Sequence, residues 1–473
     1  MKAAALALAL LLAAPVQAGP DPALAVALAK AGPGTRIGLV VVDDTGREIV
    51  AIRADERFVP ASNTKMFTTA AAFAALDTAS PDDAGATVRL EGDDVVLAGH
   101  GDARLSSAAD CRTNCLAELA RAVAARTRKV RDVVGDDSAF PDERWPAGMS
   151  WNNMVGRYGT AISALTIDDN VVELQVRPGA PGAAPAVSGD GYHRISNHAV
   201  TVAGAREASL SVARTPGSDV LRVGGVIPAG VAPEMLTIGV DDPAHRAAWR
   251  LAALLREAGV RVTGRVLVRH RPLGPGDDPE RRGAAPPARP PAPAMLARLV
   301  PPPLAEDLRL TNKVSQNLHS ELLLRRVGAV SGTGSVADGQ EAVRVMLDRA
   351  GVERWSYDFA DGSGMSNYNR VTPRATVRFL RWTRAQSWGE AWRETLPVGG
   401  VDGTLARRFK GTPLADKLFA KTGSLSGTNA LSGYLVAASG RTLTFSAFAN
   451  DVPGEGSGTA AIDAALLAIA AAN

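Results

Sequence analysis

Strand-forming sequence lies at both ends of this 473-residue chain, and that placement restricts its folds more than any other feature. Residues 35–56, TRIGLVVVDDTGREIVAIRADE, hold two β-rich runs around the turn signal Asp43-Asp44-Thr45-Gly46, which reads as a hairpin. Residues 417–450, KLFAKTGSLSGTNALSGYLVAASGRTLTFSAFAN, hold three more runs with Ser-Gly and Gly-Thr-Asn turns, followed by a terminal helix. Two strands from one end and three from the other make one economical sheet: five antiparallel strands, with everything between them inserted. The expected class is α+β.

The middle of the chain supports an insertion. Residues 84–270 alternate short strand-like runs such as VVELQVRPG and VRVTGRVLVRH with helical pieces at LAELARAVAARTR and HRAAWRLAALLREAG, which predicts a mixed α/β region of one or more domains. Residues 271–295 are dense in Pro and Gly and read as a linker. The predicted division is 1–18 signal peptide, 19–83 first part of the sheet-bearing domain, 84–270 insertion, 271–295 linker and 296–473 second part.

Composition excludes some functions. With 52 basic and 49 acidic residues the formal charge is +3, too balanced for a polyanion-binding protein, so nucleic acid is not an expected partner. The first residues, MKAAALALALLLAAPVQA, have a basic start, a short apolar core and a small-residue ending, which predicts cleavage after Ala18. No later segment reads as a membrane span, so the expectation is an exported, soluble protein of the periplasm or cell envelope. Cys111 and Cys115 are the sole cysteines; export favours a disulfide, two unbonded thiols are the alternative, and without nearby His they make a poor metal site.

Three short patterns carry chemistry: Ser62-Asn63-Thr64-Lys65, Ser315-Gln316-Asn317 and Lys421-Thr422-Gly423-Ser424. A serine hydroxyl is a poor nucleophile until a base takes its proton, and a three-residue spacing on a helix puts Lys65 on the face of Ser62. Lys65 serves as base if its site keeps it neutral, and Lys421 is the nearby cation expected to lower its pKa. Ser315 offers a hydroxyl for relaying a proton to a leaving amine, and Asn317 an amide for the Lys65 ammonium and a substrate carbonyl. The backbone N–H groups of Ser62 and Ser424 would form an oxyanion hole. Gly423 would leave room for a substrate backbone, and Thr422 and Ser424 offer hydroxyls to a carboxylate. Each pattern alone also fits an ordinary helix start, loop or strand.

In this order the three patterns resemble the active-site signature of penicillin-binding proteins and serine β-lactamases. The 253 residues between Ser62 and Ser315 leave room for a large insertion. With the segments FVPASNTK, AGHGDARLS, YGTAISALTIDDN, PLAEDLRLTNKVSQNLHSELLLR, ADGSGMSNYN and LPVGGVDGTLARRF, they resemble the D-alanyl-D-alanine carboxypeptidase/endopeptidase family of low-molecular-mass penicillin-binding proteins. The resemblance implies a β-lactamase/transpeptidase-like fold and an acyl-enzyme on Ser62. It implies peptidoglycan stem peptides as substrates, β-lactams as covalent inhibitors, and no cofactor or metal. Ala103 stands where the family usually has Pro, and VPPPLAEDL is unusually rich in Pro. A serine β-lactamase and a catalytically silent wall-binding scaffold are the competing readings.

Other residues are less informative. His319 reads as a helix residue near the cleft, because Lys65 already fills the role of base. Trp145 and Trp151 line a groove or pack domains, and residues 361–364 and 402–404 read as turns.

Overall fold

The computed structural model describes residues 22–189, 191–204, 207–283 and 293–473; the expected signal at 1–18 and the centre of the Pro/Gly-rich stretch lie outside them. Both ends of the chain build one sheet. Its strands are β1 (Arg36–Val42), β2 (Glu48–Ile52), β3 (Leu418–Leu425), β4 (Thr428–Val436) and β5 (Thr442–Asn450), in the order β3-β4-β5-β1-β2. Every pairing is antiparallel, and Arg36–Val42 of β1 runs against Asn450–Thr444 of β5.

The near-continuous apolar run of β1 follows from burial on both faces. Leu39 and Val41 meet Leu24 of the helix Pro22–Ala29 and Ile462 and Leu466 of the helix Gly458–Ala472. Val40 and Val42 face Val377 of the helix Pro373–Arg384. The same side carries α1 (Thr64–Ala75), α2 (Leu304–Lys313) and α3 (Asn317–Ser331). In α1 every residue from Thr64 to Phe73 is buried. Phe67 lies between Phe359 and Phe379, with ring centroids 4.8 and 4.3 Å apart.

The middle segment forms a second five-stranded sheet in the order Val266–Arg271, Val133–Pro141, Asp94–Ala98, Thr87–Glu91, Ala297–Arg298. The first three strands are parallel and the last two pairings antiparallel. Ala297–Arg298 therefore joins this sheet from beyond the Pro-rich stretch. Helices Leu116–Arg126 and Pro243–Glu257 cover it through Leu119, Val123, Ala248 and Leu251. Between Val171 and Gly239 the described chain adds only strands, around Val172, Leu174, Leu221 and Val223. Cys111 and Cys115 form a disulfide. Among the described residues no helix is long and apolar enough to cross a membrane.

Candidate active site

The helix that carries the first pattern starts one residue past Asn63, after a 3-10 turn of Ala61–Asn63, so Ser62 sits in the turn and Lys65 in the first turn of α1. Ala61 holds a positive φ of 47°, a conformation disfavoured for a residue with a Cβ. Asn63 ties this turn to β3 by donating from Nδ2 to the Lys421 carbonyl at 2.7 Å. Ser315 lies between α2 and α3, also at positive φ (63°), and Asn317 opens α3.

All three patterns meet. Lys65 Nζ lies 3.0 Å from Ser62 Oγ and donates to Asn317 Oδ1 and the Ser363 carbonyl, each at 2.6 Å. Lys421 Nζ donates to Ser315 Oγ at 2.8 Å and to the Thr422 carbonyl at 3.0 Å. Both lysines are fully buried, while Ser62, Ser315 and Thr422 are half-buried and Ser424 is exposed, so the hydroxyls open towards solvent and the amines do not.

Burial disfavours the ammonium form and pushes Lys65 down from its ordinary 10.5 to about 7, against the opposing pull of Asp361 and Glu321. This corrects the expectation that Lys421 would be the cause. Lys421 is itself lowered, first by burial and then by Lys65. Desolvation dominates at both amines because their contacts are hydroxyls and carbonyls.

Two further residues carry packing roles besides the expected ones. Asn317 Nδ2 donates to the Tyr158 carbonyl at 2.8 Å, so one of its two N–H groups is taken by the inserted segment. At Gly423 an added Cβ would stand 2.6 Å from the Pro60 carbonyl oxygen and 3.2 Å from Ala61 Cβ. Glycine is needed there for the close approach of β3 to the serine turn, whatever a substrate requires.

The strand edge is accessible. The Ala420 N–H donates to the Pro397 carbonyl and Phe419 bridges Val398, but from Lys421 onward no described strand pairs with the outer edge of β3. An extended peptide can add there as a further strand. Thr422 Oγ1 lies 2.7 Å from Thr404 Oγ1, and the 402–404 turn is held by a 2.6 Å ion pair between Asp402 and Lys313.

Sequence reasoning missed Ser363, Asp361, Glu321, Tyr158 and Thr404. The Asp-Gly-Ser-Gly run was the available signal, but only as a turn. His319 is fully buried between Asp307 (2.5 Å) and Asp169 (2.9 Å); burial opposes its charge, yet the two carboxylates raise it to about 9. It is an imidazolium strut between α2, α3 and the inserted segment. Trp145 is half-buried and donates from Nε1 to the Gly159 carbonyl at 2.9 Å, whereas Trp151 is 79% exposed. Among the described residues no group of three or more His, Cys, Asp or Glu could hold a metal.

A sheet closed by both termini, with a Ser–Lys pair at a helix start, a Ser–x–Asn loop and a Lys-bearing edge strand, defines the β-lactamase/transpeptidase-like class of acyl-transferring serine enzymes. Residues 22–472 match the D-Ala-D-Ala carboxypeptidase 3 (S13) family, and the chain belongs to it. It is 34% identical over 430 residues to a D-alanyl-D-alanine carboxypeptidase of Actinomadura sp. strain R39, covering 85% of this chain and 75% of that one. It is 27% identical over 429 residues to the D-alanyl-D-alanine carboxypeptidase DacB of Haemophilus influenzae, covering 88% and 86%. The crystal structure of penicillin binding protein 4 from that organism superimposes with a TM-score of 0.79 at 22% identity, covering 93% and 97%, which establishes the shared fold.

Proposed function

We propose that this protein is a serine D-Ala-D-Ala carboxypeptidase, and also a DD-endopeptidase, acting on peptidoglycan stem peptides through an acyl-enzyme on Ser62. The carrying observation is the 3.0 Å contact between Ser62 Oγ and a buried Lys65 whose other two polar contacts are uncharged acceptors. A neutral amine has two N–H groups and one lone pair. With Asn317 Oδ1 and the Ser363 carbonyl taking the N–H groups, the lone pair is left for the Ser62 proton.

In the reaction, Ser62 Oγ bonds to the scissile carbonyl carbon as Lys65 takes its proton. The negative oxygen is received by the N–H groups of Ser62 and Ser424. The C–N bond breaks as the leaving D-amino acid receives a proton by way of Ser315, next to Lys421, and Lys65 gives up in exchange the one it took from Ser62. Water then hydrolyses the ester and restores the Ser62 hydroxyl. Thr422 and Ser424 hold the free carboxylate beside the scissile bond, which is present in both substrates. β-Lactams enter the same path and stop at the ester.

We read the N-terminal segment as a secretory signal and the mature protein as a soluble enzyme of the periplasm or cell envelope, its catalytic unit divided by the insertion. The relatives named as carboxypeptidases support the substrate class. Ser62→Ala is expected to remain folded and lose covalent penicillin labelling; persistent labelling would place the nucleophile elsewhere. A penicillin adduct lost within seconds would favour a β-lactamase. A purified protein that neither takes up the penicillin label nor releases D-Ala from a pentapeptide would favour a silent scaffold.

A further inference from the structure

Behind Lys65, away from the open cleft, lie two buried carboxylates that take no part in the steps above. Glu321 is 2% exposed and sits on α3, one turn beyond Asn317. Its Oε1 accepts from the backbone N–H groups of Gly362 (3.1 Å) and Ser363 (2.9 Å), and its Oε2 pairs with the buried Arg325 at 3.1 Å. Asp361, also 2% exposed, accepts from the N–H groups of Gly364 (2.9 Å) and Ser366 (2.7 Å) and from Asn369 Nδ2 (2.6 Å).

Together they fix a turn that reaches Lys65 through a carbonyl. The Ser363 oxygen accepts from Lys65 Nζ at 2.6 Å. On the far side of the turn, Gly364 has a positive φ of 87°, and a Cβ there would stand 1.9 Å from the Ala61 carbonyl oxygen and 2.9 Å from the Ser62 nitrogen. The turn therefore abuts the nucleophile's own backbone as well as the amine of its base.

We propose that Glu321 and Asp361 are positioning residues for the Ser62–Lys65 pair: they hold the 361–364 turn so that the Ser363 carbonyl directs the Lys65 lone pair at Ser62 Oγ, and their charge sets the pH at which that lone pair becomes available. This rests on reading Lys65 as the base. The groups facing Lys65 are Ser62 on its own side, Asn317 and Glu321 (with Arg325) from α3, Ser363 and Asp361 from the turn, and Lys421 from β3. Glu321 and Asp361 favour its protonated form, against burial. Burial and Glu321 also raise Asp361, against the hydrogen bonds it accepts from Asn369, Ser366 and Gly364, and its ionised form acts on Lys65 with its charge.

The sign follows. Removing either negative charge lowers the Lys65 pKa, so the neutral amine appears at lower pH. Stopped-flow acylation of the purified full chain by benzylpenicillin, measured from pH 5 to 9, should show the acid limb of Glu321→Gln and of Asp361→Asn displaced to lower pH by about one unit, the scale of a nearby charge. The plateau rate should also fall, because the turn is held less firmly. A role confined to stability would lower the melting temperature and leave the limb in place. Should Glu321→Gln fail to fold because Arg325 is left unpaired, Asp361→Asn, which breaks no ion pair, decides alone. Limbs that coincide with wild type overturn the proposal. If Lys65→Ala acylates at the wild-type rate, the base reading itself falls; if that variant is inactive and the limbs are unmoved, only the present inference falls.

Discussion

The middle sheet and the Ser62–Lys65 site beside the terminal sheet treat cationic groups in opposite ways. In the middle sheet the buried Arg89 pairs with Asp136 at 2.9 Å, the exposed Arg269 with Glu91 at 2.9 Å, and the half-buried His270 sits between Asp137 and Asp242 at 2.9 and 3.3 Å. Beside the sheet built by the termini, Lys65 and Lys421 are fully buried with direct contacts to hydroxyls, an amide oxygen and carbonyls. Bringing a lone ammonium out of water costs several kcal/mol even after relaxation. A partner carboxylate offsets that cost and keeps the charge; without one, giving up the proton is the cheaper response. His270 is accordingly raised to about 10 by its hydrogen bonds to Asp137 and Asp242, while burial lowers Lys65 to about 7. The same polar chemistry favours the charged form of His270 and the neutral form of Lys65.

The sharpest break of this contrast is at the two central residues. Lys65→Ala should slow acylation by penicillin roughly 10²- to 10⁴-fold, the contribution of a positioned proton acceptor. His270→Asn should leave that rate as in wild type, since its partners all lie in the middle region. A normal rate in the first variant, or a collapsed one in a folded second variant, would erase the distinction. In the wild type the rate should climb with pH through about 7, as Lys65 loses its proton.

The strand hydroxyls come next. A hydrogen bond to a charged group contributes about 1.5 to 3 kcal/mol, so Thr422→Val with Ser424→Ala should lower kcat/KM on D-Ala-D-Ala peptides by roughly one to two powers of ten. Activity on cross-linked peptides should fall in parallel. Amidating the substrate carboxylate should mimic the double variant, and equal cleavage of amide and free acid would remove the assignment.

The smallest effects concern the braces, read as melting temperature against pH. A histidine raised on folding stabilises fully below its unfolded pKa near 6.5, and that stabilisation disappears as pH rises through the folded value. For His319, raised to about 9 and 1% exposed, the linked loss between pH 6.5 and 9 is at most about 3 kcal/mol. His319→Gln should flatten that decline. His270 is 20% exposed, and the corresponding flattening in His270→Asn should be weaker. Because Asn317 lies two residues before His319, the His319 variant should also slow acylation, unlike the His270 variant. Indistinguishable pH curves in the wild type and His319→Gln would show that the strut carries no net charge.

The core of the site was legible because its elements are local. The Ser62–Lys65 spacing is a property of one helical turn, and the Lys421-to-Ser424 run is a property of one strand. The five-stranded sheet was equally accessible, since its strands are apolar runs bounded by turns and only five were available near the ends. Glu321 was different. On a buried helix a carboxylate four residues before Arg325 reads as an i,i+4 pair, which it does form. Nothing in that spacing reveals that its other oxygen holds a turn 41 residues away. The same applies to Tyr158, which acts through a backbone carbonyl that any residue possesses.

The sequence by itself determined which groups are available and their local order: a serine three before a lysine, a Ser-Gln-Asn loop, a lysine at the head of a Thr-Gly-Ser strand, and enough terminal strands to bring them onto one sheet. Tertiary structure decided what those groups are chemically. The Lys65 amine has its proton affinity lowered because α1, α3, the 361–364 turn and β3 close over it and exclude water, leaving it neutral acceptors at contact and carboxylates only behind the turn. Solvation and long-range contact are properties of the packed chain, so a proton affinity that depends on both cannot be read from residue order alone.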